Sequence, residues 1–307
     1  MPLSLGLDLI LGEPPRILHP VVWMGRFISF LEGRAPGKGI FSILYGAILS
    51  LIVIAIFSIP PYLLLRWLHG ISPPLHLILS AILLKISFSW RELERTARKV
   101  GRLLEDGKLE EARREVRSLV GRSTENLPPH LVASAAIEST AENTCDSFIA
   151  PTFYFLLLGV PGALAYRAAN TLDAMLGYRE GKYEWLGKFP ARLDDLLNLI
   201  PARLTALLLL TSALIHGRNP KGALRSLLRH RSLTPSPNAG WTISTIAGAL
   251  NLSLEKRGVY RIGEGKEPEP GDIKKALLIC RTSALLWTAL ILGAIGIKGG
   301  FILGAQT

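Results

Sequence analysis

The run GIFSILYGAILSLIVIAIFSIPPYLLL, residues 39–65, contains no charged side chain. About 20 apolar residues suffice for a helix to cross the hydrocarbon core of a bilayer. Backbone amides and carbonyls have no water to bond there, so the crossing form is helical. Working outward from this run, the chain shows further apolar segments over residues 73–88, 147–166, 199–215 and 276–297. The first segment covers 40–59, and Pro60-Pro61 is expected to end it, because proline lacks the amide that a helix interior uses. The expectation is an all-α, polytopic integral membrane protein with about four to six hydrophobic segments. It forms a single membrane-embedded domain, 1–307.

Composition agrees. Hydrophobic residues make up 49% of the 307, and the mean hydropathy is +0.33. The net charge is +11. On a membrane protein such an excess collects in cytoplasmic loops, and no nucleic-acid-binding signature accompanies it. The two cysteines, Cys145 and Cys280, sit in apolar helical contexts and suggest neither a disulfide framework nor a zinc site. No cleavable signal is evident, because residues 3–11 lack a basic start and are interrupted by Asp8.

Residues 89–127 change character. Glu and Arg alternate while Leu93, Ala97, Val100 and Leu104 recur at helical spacing, which predicts two amphipathic helices joined at Asp106-Gly107. This is the start of a cytoplasmic helical insert, about 89–140. The basic, proline-rich region 217–275 reads as a cytoplasmic loop region. The basic N-terminus and both these regions then share the cytoplasmic side, in an inner (cytoplasmic) membrane. Lys85, near the end of the second segment, is expected to snorkel to the interface. The segment 147–166 is broken by Gly159-Val160-Pro161-Gly162. A single crossing would put Glu138 and Asp173 on opposite sides, so a re-entrant hairpin is the preferred version.

Polar groups in such a chain are costly next to lipid and mark sites or pathways. Glu138, Glu142 and Asp146 are spaced i, i+4, i+8, which lines them on one face of an α-helix, with Asn143 beside them. Like charges in a row call for a cation. Mg²⁺ suits this, taking carboxylate oxygens and sharing them with substrate phosphates; pairing with Arg167, Arg179 or Arg192 is the bland alternative. Arg167, Asn170 and Asp173 share a second face, read either as a site or as a buried polar brace. Asp194, Asp195 and Asn198 form a third set, flanked by Arg192 and Arg203, whose guanidinium forks match phosphate. Asn238 lies in a rigid polar turn, SPNAGW, residues 236–241. His19 and His230 read as structural hydrogen-bonders before bases. No phosphate-binding Gly-x-x-x-x-Gly-Lys-Ser/Thr or Gly-x-Gly-x-x-Gly motif occurs.

Taken in order, LDLILGEPP (7–15) with HPV (19–21), MGR (24–26), VGR (120–122), ESTAENTCD (138–146), YRAANTLD (166–173), GYR (177–179), ARLDD (191–195) with Asn198 and PARLT (201–205), and SPNAG (236–240) resemble the adenosylcobinamide-phosphate synthase family of cobalamin biosynthesis. Together they cover most of the chain. Ser147 and Ala174 stand where the family pattern has glycine and serine. The resemblance implies an ATP-dependent carbon–nitrogen ligase. It joins an amino alcohol or its phosphate, such as aminopropanol phosphate, to a carboxylate of adenosylcobyric acid, giving adenosylcobinamide phosphate.

ATP and Mg²⁺ are the cofactors this implies. Glu138, Glu142, Asp146 and Asp173 are the catalytic candidates, and Glu142, Asp146, Asp194 and Asp195 the metal candidates. Asn143, Arg167, Asn170, Arg179, Arg192, Asn198, Arg203, Asn238, His19 and Arg26 are the substrate- or phosphate-binding candidates. The lipid bilayer, other late enzymes of the pathway or a second copy of the chain are the partners it allows. Two other readings compete: a membrane prenyltransferase using Mg-diphosphate at the Asp/Asn sets, and a non-catalytic membrane scaffold for corrinoid enzymes. A transporter is disfavoured by the absence of an inverted repeat.

Overall fold

The uncharged run lies inside one long helix. The computed structural model describes all residues except 14, 16, 18, 122, 179 and 305–307, and does not describe the side chains of 11 and 297–304. In chain order the helices are α1 (Pro2–Leu11), α2 (Pro20–Glu32), α3 (Ile40–Ile71), α4 (Pro73–Ser87), α5 (Trp90–Glu105), α6 (Leu109–Val116), α7 (Pro129–Thr144), α8 (Ala150–Leu176), α9 (Tyr183–Leu186), α10 (Lys188–Leu197), α11 (Leu199–Ile215), α12 (Pro220–His230), α13 (Ala239–Leu250) and α14 (Pro270–Gly304). A π-helical turn, Cys145–Ile149, joins α7 to α8. Between α13 and α14, β1 (Leu254–Lys256) and β2 (Tyr260–Ile262) form an antiparallel hairpin. Among the described residues, four segments are long and apolar enough to cross a membrane: Ile40–Ile71, Pro73–Glu105, Pro129–Leu176 and Pro270–Gly296. The pair α10 and α11, bent by 47°, makes a fifth if counted as one span.

The chain divides into two compact units, Met1–Arg91 with Ala150–Asn198, and Glu92–Ile149 with Leu199–Thr307. In the first, α3 corrects the expected stop at Pro60-Pro61: both prolines lie inside the helix. Apolar spanning helices tolerate proline because neighbouring groups re-satisfy the freed carbonyls. The inner face of α3 repeats at helical spacing through Ser42, Gly46, Leu49, Ser50 and Val53, all buried. Small residues there let backbones approach closely, which is how apolar helices pack where lipid competes equally for leucine. Met24 and Ile28 of α2, Ala168, Leu172 and Leu176 of α8, and Leu186 of α9 complete this core with Leu49 and Val53. The opposite face leaves Phe41, Leu44, Ile48 and Leu51 exposed, as a lipid-facing surface requires.

The break in α8 is where the glycine–proline signal put it. Gly159 has φ 69° and ψ −162°, a region that only glycine occupies without strain. Residues 12 positions apart in a continuous helix are separated by about 18 Å. Yet the rings of Tyr154 and Tyr166 stack with centroids 5.3 Å apart and planes 13° apart. The helix therefore turns sharply back at Gly159. Tyr154 Oη donates to the Leu197 carbonyl (2.9 Å) and Tyr166 Oη to the Asn198 side chain (2.9 Å), so both arms are tied to the end of α10.

Lys85 does not snorkel. It is 6% exposed, and its ammonium lies 3.2 Å from Asp8 Oδ1 and 2.9 Å from Glu13 Oε1. Asp8 Oδ2 accepts the Arg91 amide at 3.0 Å. His19 accepts the Val21 amide through Nδ1 (3.2 Å), capping α2, which leaves Nε2 to donate to Glu13 at 2.8 Å. Burial alone raises the Glu13 carboxyl, but hydrogen bonds from His19, Lys85 and Ser89 outweigh it and hold its pKa at about 2. Asp8 is deeper, and there burial wins and its carboxyl is pushed up.

In the second unit, α5 and α6 form the expected amphipathic pair around Gly107 (φ 72°). Their charges pair along the surface, Arg95 with Glu92 (2.6 Å) and Lys99 with Glu115 (2.7 Å). Helix α7 is the centre of this unit: every residue from Leu131 to Ala141 is buried, and α6, α13, α14 and β1 pack around it. Its run of Ala, Ser and Thr fits a helix enclosed on all sides. The region 217–275, expected as loop, is instead largely regular structure. Helices α12 and α13 pack so closely that a Cβ at Gly222 would lie 2.8 Å from the Gly248 carbonyl oxygen.

Three outcomes follow from the first unit. Lys85→Met removes the cation shared by buried Asp8 and half-buried Glu13 and should cost about 3–5 kcal/mol, read as a lower thermal midpoint in detergent. The folded pKa of Glu13 lies below its ordinary value, so its contribution is whole above about pH 4.5 and is lost as the pH falls toward 2. The stability difference between wild type and Glu13→Gln should accordingly hold steady in neutral solution and vanish in strong acid. Cysteines replacing Tyr154 and Tyr166, with Cys145 and Cys280 replaced by serine, should be joined by a short thiol cross-linker. Failure to cross-link in folded protein would mean that α8 runs straight.

Candidate active site

Three groups of polar side chains emerge, and each is built within one unit. In the second unit Glu138 is only 5% exposed. Ser134, one turn earlier, donates to its Oε1 at 2.7 Å, and Tyr260 donates to Oε2 at 2.6 Å. Ser134 Oγ also accepts the Glu255 amide at 2.8 Å, which fixes the β-hairpin against α7. Lys256 and Tyr260 are directly paired across that hairpin, and paired residues share a face. The result is a small cavity of about 110 Å³ lined by Gly121, Glu138, Ser139, Glu142, Lys256 and Tyr260. Glu142 is half-buried on its wall.

The i, i+4, i+8 row holds for Glu138 and Glu142 only. Asp146 lies in the π-helical turn, whose wider winding moves it off the α-helical azimuth that the spacing assumes; π-turns recur at functional sites. Asn143 is held inside the helix, donating to the Ser139 carbonyl (3.0 Å) and accepting from Ser147 Oγ (3.0 Å). The serine that departs from the family pattern thus has a partner of its own.

The second group is also in this unit. Arg203 donates to Asn238 Oδ1 at 2.9 Å and to the Leu199 carbonyl at 2.8 Å. Its guanidinium lies 4.5 Å from the Trp241 ring centroid, and that of Arg231 lies 4.9 Å from the same ring. Among the described residues neither arginine has a carboxylate partner. Two cations held by one indole, with their forks unspent on acids, are suited to a phosphate.

The third group is in the first unit. Asn170 Nδ2 donates to Asp194 Oδ1 (3.2 Å) and Asn198 Nδ2 to Asp194 Oδ2 (2.9 Å), while Asn198 Oδ1 accepts from Tyr166. Both oxygens of Asp194 are taken up by carboxamides, in a network that braces α8 against α10. Arg192 is a surface residue 4.0 Å from Asp195. Arg167 and Asp173 are half-buried on α8. His19 belongs to the Lys85 network, Arg26 is exposed on α2, and Arg179 lies outside the described residues.

Among the described residues no three His, Cys, Asp or Glu side chains converge as a metal centre. Glu142 and Asp146 supply at most two carboxylates on neighbouring turns. That donor set fits Mg²⁺ held chiefly by substrate phosphates and water, and does not fit an all-protein cage. Sequence reasoning missed Tyr260, Lys256 and Ser134. The signal was present: Leu254 and Lys256 mirror Tyr260 and Ile262 about Gly258, a hairpin pattern in a region read as loop.

Comparison with known proteins now adds to the geometry. The family model described as "CobD/Cbib protein" matches residues 1–285. The chain is 45% identical over 296 residues to "Cobalamin biosynthesis protein CobD" of Dehalococcoides mccartyi, covering 95% of this chain and 96% of that one. It is 44% identical over 296 residues to "Probable cobalamin biosynthesis protein CobD" of Methanothermobacter thermautotrophicus, covering 96% of each. A protein of the same description from Pyrococcus abyssi is 45% identical over 280 residues, covering 90% of this chain and 88% of that one. No solved structure matches. With the family model and full-length relatives in agreement, the chain belongs to the CobD/Cbib protein family.

Proposed function

We propose that this protein catalyses ATP-dependent amide formation in cobalamin biosynthesis, joining an amino alcohol phosphate such as aminopropanol phosphate to a carboxylate of adenosylcobyric acid. The observation that carries this reading is the acidic cavity: Glu138, held by the Tyr260 and Ser134 hydroxyls, beside Glu142. A small cavity walled by two carboxylates against one lysine, Lys256, leaves acid in excess and favours an ammonium. Tyr260 and Ser134 hold both oxygens of Glu138 in place, so the group can attract the amine without moving.

The reaction needs two steps. A carboxylate is a poor acylating agent, so an oxygen of the corrinoid carboxylate first attacks the γ-phosphorus of ATP. An acyl phosphate forms and ADP leaves. The amine nitrogen, freed of a proton by Glu142, then attacks the acyl carbon, and phosphate departs as the amide forms. Phosphoryl transfer depends chiefly on positioning and charge stabilisation. Arg203 and Arg231, held against Trp241 with no acid partner among the described residues, are suited to hold the transferring phosphates. Mg²⁺, bound with the nucleotide beside Glu142 and Asp146, would supply charge neutralisation. The basic segments of the second unit favour a site open to the cytoplasm. The Asp194–Asn198 set, spent on bracing α8, does not favour the prenyltransferase reading.

The test is a ligation assay on detergent-purified protein with adenosylcobyric acid, aminopropanol phosphate, ATP and Mg²⁺, with products identified by mass spectrometry. The expected result is an amide product in step with ADP release. ATP left intact in folded, corrinoid-binding protein would reject the ligase and keep only a scaffold. Glu142→Gln should lower kcat by about 10²–10⁴-fold, the usual share of a general base, and full turnover would remove that role. Tyr260→Phe should raise KM for the amine about tenfold or more, the effect of losing one hydrogen bond to a charged group. Arg203→Ala should raise KM for ATP while leaving corrinoid binding, measured by its absorbance change, intact.

A further inference from the structure

A second cavity, of about 580 Å³, lies wholly in the first unit, and none of its lining residues belongs to the groups assigned above. Its wall is apolar, with Leu65, Leu84 and Leu158 among its side chains, and its lining includes Arg66, His69 and His76 but no carboxylate. The two histidine rings meet edge-on, centroids 5.1 Å apart. Arg66 is exposed and has no hydrogen-bond or ion-pair partner among the described residues. Ser4 also lines the cavity. It is 0% exposed, yet its hydroxyl has no partner among the described residues. A buried hydroxyl left unbonded carries a desolvation penalty, so a ligand atom bonding it would relieve the site.

The level of the site within α3 indicates what fills it. Arg66 lies roughly 39 Å along the helix from Ile40 at 1.5 Å per residue. The hydrocarbon core is about 30 Å thick, so a helix entering near Ile40 brings Arg66 to the opposite headgroup layer. Trp67, 62% exposed, and Tyr62 stand beside it, as the interfacial aromatic belt requires. Arg66 therefore sits at headgroup depth, and Leu84, about two turns along α4 from His76, at acyl-chain depth.

We propose that this cavity is a binding site for an anionic phospholipid. Arg66, flanked by His69 and His76, takes the phosphate, and one hydrocarbon chain lies along the leucine wall toward the tip of α8 at Gly159. The guanidinium fork matches a phosphate bidentately, and an acid-free rim favours a lipid with net negative charge over a zwitterionic one. The site is independent of the ligase reading.

The experiment is lipid titration of delipidated full-length protein by native mass spectrometry. Dioleoyl phosphatidylglycerol is compared with dioleoyl phosphatidylcholine and with inorganic phosphate. The glycerol lipid should bind about tenfold more tightly than the choline lipid, the effect of one charge-assisted contact. Arg66→Ala should abolish that preference, and Arg66→Lys should retain most of it. Leu77→Trp, which narrows the cavity from an exposed position, should weaken both lipids while leaving Arg66 in place, and it keeps the test open should Arg66→Ala fail to fold. Equal binding of the two lipids, a preference that survives Arg66→Ala, or stabilisation by inorganic phosphate alone would each overturn the assignment.

Discussion

An ionised side chain is expensive to bury among apolar helices unless a partner meets it, and that constraint organises both units. In the first, Lys85 is acceptable because Asp8 and Glu13 close on it, while His19 donates to Glu13 and the Arg91 amide to Asp8. In the second, Glu138 is acceptable because two hydroxyls donate to it. Both arrangements cost desolvation energy, and breaking either pair leaves a stranded charge. Helix positions follow from these pairings as much as from leucine packing, since lipid offers leucine the same environment as a neighbouring helix.

The same constraint separates groups that support structure from groups available for chemistry. Asp194 has each oxygen committed to a carboxamide, and its neighbours Asn170 and Asn198 are committed in turn. Glu138 is committed to hydroxyls that also define a cavity, and Glu142 stands at that cavity's edge. Arg203 and Arg231 are steadied by an aromatic ring, an arrangement that holds a guanidinium in place without neutralising it. Under the ligase reading proposed above, the carboxylate pair would serve the amine and the arginine pair the phosphate.

Much of this was legible in the sequence because hydropathy and periodicity are local. Helix α11 spans the residues expected from its apolar run, Gly159 breaks α8 where Gly-Val-Pro-Gly stood, and Gly107 joins two amphipathic helices. What escaped was set by distant partners. Lys85 near a helix end looks like a snorkelling residue until Asp8 and Glu13, more than seventy positions away, are folded beside it. Pro60-Pro61 looks like a stop unless neighbouring groups are known to carry the helix through it. Tyr260 and Lys256 belong to a hairpin only three residues per strand, too short to rise above a basic, proline-rich background. The i, i+4, i+8 row failed at its third member because a π-turn leaves the residue spacing unchanged while altering the rotation per residue.

That π-turn has a consequence for how Asp146 can vary. Each residue of an α-helix turns the chain by about 100°, so a wide turn amounts to one residue accommodated without lengthening the helix. The bearing of Asp146 is thereby encoded in chain length. Deleting a single residue between Cys145 and Ile149 would re-aim it while preserving every acid in the motif. Insertion and deletion at this point therefore form an evolutionary variable separate from substitution, one that an inventory of retained side chains would not register.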